Sequence, residues 1–137
     1  MILGIGTDLC DIRRIEKSLE KFGGKFSTRL FTKSERAYCE PKSGKASYYA
    51  KRFAAKEAVA KAMSGENTGH LKWQDVEISN NPSGRPVVIL RGDAKRRLES
   101  LTPDGYRGHI HISLTDDYPY AQAYAICEAL PLVKDIS

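Results

Sequence analysis

An α+β domain, with a mainly antiparallel sheet packed around one long alanine-rich helix, is the fold class that the sequence predicts. Three observations predict it. Residues 47–63 contain neither Gly nor Pro and are rich in Ala, which favours an uninterrupted helix. Residues 76–79 and 87–90 are strand-like and flank Asn80-Asn81-Pro82-Ser83-Gly84, a run with strong turn chemistry. The remaining helical and extended segments mix without the regular βαβα alternation of a doubly wound sheet.

Each element has its own signal. Ile2, Leu3 and Ile5 read as a short opening strand, with Gly4 and Gly6 allowing close approach of another backbone and Thr7 and Asp8 at the strand exit. From Asp11, the apolar residues Ile12, Ile15, Leu19 and Phe22 recur at helical spacing until Gly23-Gly24 stops the pattern. Thr32-Lys33-Ser34-Glu35 has the form of a capping box and opens a short helix to about Glu40. Residues 41–45 read as a loop and lead into the long helix. Residues 93–101 form a further helix, and residues 109–114 and 121–127 form two strands joined through Thr115-Asp116-Asp117-Tyr118-Pro119. Residues 1–130 are expected to form one domain, followed by a tail over 131–137.

Composition narrows the function. With 137 residues, 41% of them hydrophobic, the chain can bury one core without a metal or disulfide staple. No apolar run approaches the roughly 20 residues that span a bilayer, and the N-terminus lacks a basic, apolar leader, so a cytoplasmic protein away from membranes is expected. Cys10, Cys39 and Cys127 are widely separated and form no C-x-x-C pair, so they are expected to be free thiols. Twenty-two Lys and Arg against seventeen Asp and Glu give a net charge of +5, which favours an acidic or phosphate-rich partner.

The chemistry concentrates on the long helix. A 100° step places Phe53, Glu57, Ala60 and Lys61 on one face. Glu57 reads either as half of a surface pair with Lys61 or as an inward carboxylate facing Asp8. Two carboxylates sharing a site repel and call for a cation, and Mg²⁺ accepts one or two carboxylates with waters and phosphate oxygens completing its octahedron. Arg52 and Lys56 form a second basic row that, with Lys61, suits phosphate oxygens. His109 and His111 alternate along a strand and share a face, but no third zinc ligand accompanies them. Tyr48, Tyr49 and Phe53 beside Lys51 and Arg52 give an alternative reading as a base-stacking nucleic-acid surface. A different Mg²⁺-dependent enzyme acting on a nucleotide is the other alternative.

Two motifs carry a resemblance. Gly4-Ile5-Gly6-Thr7-Asp8 is similar to the N-terminal signature of the bacterial holo-acyl-carrier-protein synthases, the small 4′-phosphopantetheinyl transferases. Arg52-Phe53-Ala54-Ala55-Lys56-Glu57-Ala58, followed by Lys61-Ala62, is similar to their central signature. The resemblance runs from residue 2 to about Glu128 and includes the Asn80…Gly84-Arg85-Pro86 turn and the Ile112-Ser113 strand.

The resemblance implies a phosphopantetheinyl transferase-like fold and an enzyme of fatty acid biosynthesis. It would move the 4′-phosphopantetheine arm of coenzyme A to a serine of apo-acyl carrier protein and release 3′,5′-ADP. It makes Asp8 and Glu57 the Mg²⁺ ligands and Lys61 the group nearest the transferred phosphate. It assigns coenzyme A contacts to Arg52 and Lys56, and to Gly65, Arg85 and Pro86. It also implies a homotrimer with sites between subunits. An acidic carrier would dock on the basic row Arg14, Lys17 and Lys21, with Arg13 beside it. Where relatives carry a His-x-Ser-x-Ser/Thr-His run, this chain reads His109-Ile110-His111-Ile112-Ser113-Leu114, so the terminal histidine is read as replaced by Leu114. Thr115, Asp116 or His109 would stand in for it.

Overall fold

The computed structural model describes residues 1–65 and 69–133. Strands β1 (Ile2–Asp11), β4 (Tyr106–Asp117) and β5 (Tyr120–Pro131) form an antiparallel sheet in the order β1-β5-β4. Strands β2 (Val76–Asn80) and β3 (Pro86–Leu90) form a separate hairpin. Helices α1 (Ile12–Phe22), α2 (Gly24–Leu30), α3 (Lys33–Cys39), α4 (Lys45–Ala62) and α5 (Gly92–Leu101) complete the chain, with one 3-10 turn at Trp73–Asp75. This is the expected α+β class. Of the expected tail, residues 134–137 lie outside the described residues, and β5 itself runs to Pro131.

The long helix and the sheet meet through small residues. Ala121, Ala123, Ala125, Cys127 and Ala129 alternate along β5 and are fully buried, facing an α4 surface that buries Ala54, Ala55, Ala58 and Ala62. On β1 the approach is closer still. A Cβ added to Gly4 would lie 1.9 Å from the Ala62 carbonyl oxygen, and one added to Gly6 would lie 2.0 Å from that of Ala58. The absence of these side chains is what lets strand and helix backbones touch.

The opening strand is longer than expected. It spans ten residues, so Asp8 sits inside an edge strand opposite Ala123, not at a strand exit. The ladder with β5 supplies the extra length, which apolar alternation over the first five residues does not reveal. Helix α2, which starts immediately after the Gly23 stop, also had no sequence expectation. Gly23 adopts φ 55° and donates its N–H to Leu19, closing α1 and turning the chain.

The capping box at α3 forms as expected, with Thr32 and Glu35 exchanging side chain-to-backbone bonds. Glu35 does more than cap. Its Oε2 accepts the Ile78 N–H at 2.9 Å, and its Oε1 lies 2.7 Å from the Lys56 ammonium. Lys56 Nζ also donates to the carbonyls of Trp73 at 2.8 Å and Val76 at 2.6 Å. This enclosed network ties α3, α4 and β2 together, and each charged group in it has several partners.

Candidate active site

Asp8, Glu57 and Lys61 converge where β1 crosses the end of α4. The glycine contacts set this meeting, because they seat β1 against the turn of helix that carries Glu57 and Lys61. Lys61 Nζ lies 3.2 Å from Asp8 Oδ1 and donates to the Thr7 carbonyl at 2.9 Å. Burial, and then the neighbouring Asp8 charge, push the Glu57 carboxyl above its ordinary pKa, with His70 and Lys61 opposing. Two carboxylates and one ammonium therefore share a half-open site whose like charges are incompletely neutralised.

No group of three or more His, Cys, Asp or Glu suited to a metal occurs among the described residues. The Asp8–Glu57 pair nevertheless matches the donor set of Mg²⁺, whose remaining positions go to water and substrate phosphate. Burial raises the proton affinity of Glu57 first and the Asp8 charge adds to it, so a cation between the two carboxylates would relieve the second contribution.

The other expected contacts fall elsewhere. Lys56, expected at coenzyme A, points to the opposite side of α4 and is only 2% exposed. Its ammonium is committed to Glu35 and two carbonyls, and burial pushes its pKa down. Arg52 is 3% exposed; it donates to Asn80 Oδ1 at 2.7 Å and lies over the Tyr38 ring, while its buried Nε has no hydrogen-bond partner among the described residues. Arg52 thus braces the β2–β3 hairpin, whose tip carries Arg85 and Pro86. Gly65 is exposed just past α4.

Arg85 and Pro86 line a groove of about 840 Å³ between the hairpin, α5 and β4. Lys95, Arg107, His109 and His111 also line it, whereas Asp8, Glu57 and Lys61 do not. Within one chain the carboxylate pair and the basic groove are separate places.

The histidine run lies on β4, where strand alternation sorts its residues between two faces. Ile110, Ile112 and Leu114 pack toward the core, while the alternate residues His109, His111, Ser113 and Thr115 take the other face. The spelling His-x-Ser-x-Thr is also met by His111, Ser113 and Thr115, all on that face, and Asp116 is the residue that follows it. Asp116 pairs with Lys51 at 3.2 Å.

The aromatic-basic cluster does not form one stacking surface. Tyr49 is fully buried and donates to Glu40 at 2.6 Å, and Phe53 stacks on Trp73 with ring centroids 5.2 Å apart. The predicted basic row is real: Arg13, Arg14, Lys17 and Lys21 are all exposed on α1.

Sequence reasoning missed the partners of these residues. Glu128 Oε2 lies 2.7 Å from His111 Nε2, and His70 packs edge-on against Trp73 beside Glu57. Finding Glu128 needed the β4–β5 register. His70 follows residues 66–68, which lie outside the described residues, and carried no periodic signal.

Comparison with known proteins agrees with this architecture. The chain is 54% identical over 131 residues to the holo-[acyl-carrier-protein] synthase of Phenylobacterium zucineum, covering 96% of this chain and 95% of that one. The crystal structure of holo-[acyl-carrier-protein] synthase from Neisseria meningitidis superposes with a TM-score of 0.78 at 32% identity, covering 93% of this chain and 99% of that one. That of the Helicobacter pylori synthase in complex with coenzyme A gives a TM-score of 0.74 at 30% identity, covering 90% and 99%. The profile of the 4′-phosphopantetheinyl transferase superfamily matches residues 4–123, and the chain belongs to that superfamily.

Proposed function

We propose that this chain transfers the 4′-phosphopantetheine arm of coenzyme A to a serine of apo-acyl carrier protein, serving fatty acid biosynthesis. The observation that carries the reading is the meeting of Asp8, Glu57 and Lys61 across the β1–α4 contact. Asp8 and Glu57 would hold Mg²⁺. When bound, the ion would neutralise charge on the diphosphate oxygens, a Lewis-acid effect of several kcal/mol.

The protein groups then have defined work. Lys61, pinned by Thr7 and Asp8, stabilises the charge that builds on the transferred phosphoryl group. The serine oxygen attacks that phosphorus, its bond to the oxygen of 3′,5′-ADP breaks, and 3′,5′-ADP leaves. The serine proton passes to a base within hydrogen-bond reach, either Glu57 or a water beside it. The exposed cations of α1 attract the acidic carrier, chiefly raising its rate of association.

A homotrimer completes the site. Ile5, Leu9, Tyr124 and Ile126 are exposed on the sheet face away from α4, and Ile5 is 70% exposed. Covering that apolar face with further copies is the expected resolution. It also explains why the basic groove and the carboxylate pair are separate in one chain: one coenzyme A molecule would reach the groove of a neighbouring copy, with Arg52 bracing the hairpin there and Arg85 and Pro86 meeting the nucleotide. Gly65 would let the pantetheine arm pass the end of α4.

Incubating apo-carrier protein with this chain, coenzyme A and Mg²⁺ should add the mass of one phosphopantetheine. EDTA, Asp8→Ala or Glu57→Ala should each slow transfer at least about a hundredfold. Transfer that survives both substitutions refutes the site. Changing Arg14 and Lys21 to Glu should raise KM for the carrier, and an unchanged value removes α1 as the docking surface.

A further inference from the structure

The basic groove has Glu99 and Asp104 in its lining, and a further carboxylate stands at its edge against one of its histidines. Arg85, Lys95, Arg107, His109 and His111 line the groove, a set suited to a phosphorylated ligand. Glu128 of β5 stands beside it, with Oε2 2.7 Å from His111 Nε2. An unshielded carboxylate there would repel the ligand, so its presence needs a compensating role.

The two histidines differ in what surrounds them. Their rings meet edge to face with centroids 4.5 Å apart. Two imidazolium ions at that distance repel, so at most one ring is comfortably charged. The charged groups facing them are Glu128 from β5, Arg107 from β4 and Arg85 from the tip of the β2–β3 hairpin. Burial, then His111, then Arg107, hold the pKa of His109 down. Only His111 has the carboxylate as a direct partner.

We infer that Glu128 is a positioning residue for coenzyme A selection: it fixes the His111 ring through Nε2, leaving Nδ1–H to meet the phosphate on the ribose of the nucleotide. The carboxylate and the phosphate would then hold the ring from its two nitrogens, fixing its plane. The side chains are partly exposed, 40% for His111 and 27% for Glu128, so a ligand can reach the ring without displacing its partner. The inference rests on the coenzyme A reading above and names the residue that orients its phosphate contact.

Dephospho-coenzyme A, which lacks the ribose phosphate, provides the test. The ratio of kcat/KM for coenzyme A over dephospho-coenzyme A should fall about tenfold in Glu128→Gln, the loss of one charge-assisted contact. The double variant Glu128→Gln/His111→Ala should discriminate no worse than His111→Ala alone. An equal loss with both substrates, or additive losses in the double variant, overturns the role of Glu128 and leaves a structural contact. A separate measurement examines the underlying reading. Titrating 3′,5′-ADP into the unmodified protein should shift the ring signals of His111 in the NMR spectrum. Silent signals in a protein that still transfers overturn the groove assignment itself, whatever the Glu128 variants do.

Discussion

The two faces of the three-stranded sheet are built from alternate residues of the same strands, yet they solve different problems. The face toward α4 carries Gly4, Gly6, Ala121, Ala123 and Ala125, whose smallness brings backbone against backbone. The opposite face carries Ile5, Leu9, Tyr124 and Ile126, large and exposed. The first is finished within one chain and fixes Asp8 beside Lys61 to within a hydrogen bond. The second is unfinished and, on the reading above, is completed by other copies. Closeness locates the chemistry, and bulk recruits the neighbour.

Substituting the inner face should have the largest effect. Gly6→Val would press a side chain into the Ala58 carbonyl and the Ala62 N–H, backbone groups with no room to retreat. Stability should fall by more than about 3 kcal/mol, beyond ordinary overpacking, in chemical denaturation. A variant that melts with the parent protein would show that the close β1–α4 contact is not what holds the site.

The outer face should respond in assembly, not in folding. Ile5 and Ile126 face each other across the β1–β5 ladder. Changing both to Glu should leave the circular dichroism spectrum intact while sedimentation falls from trimer to monomer, because like charges on a buried interface are costly. A trimer that persists would place the interface elsewhere.

The smallest effect is a pH dependence, and its sign follows from Glu57. Its folded pKa lies above the ordinary 4.5, so the folded state binds more protons through the window just above that value. Stability of the metal-free protein should therefore decline as pH rises through this window. Asp8→Asn should shallow the decline, and so should Mg²⁺. A flat profile in the metal-free parent, measured by denaturant midpoints, would mean that the two carboxylates do not interact.

Much of this was readable from the sequence because local signals and tertiary context agreed. The glycine-poor helix, the Asn80–Gly84 turn and the Thr32–Glu35 capping box all depend on neighbours in sequence, and all appear. The meeting of Asp8 and Glu57 followed from a helical face and a motif. What failed depended on depth or register. Lys56 and Lys61 stand on different faces of one helix, but only the tertiary packing shows that the first is enclosed by the hairpin and the second meets β1. The partner of His111 lies on another strand, and the extra length of β1 comes from its ladder with β5.

The enclosed Glu35–Lys56 pair has a consequence for how such a sequence can change. Removing either member alone strands a charge away from water, at a cost of about 3–5 kcal/mol, whereas exchanging both for well-packed apolar residues is often neutral. Each residue therefore guards the other against drift. The lysine inside the central signature is therefore held in place by architecture, before any demand that chemistry one residue further along the helix would add.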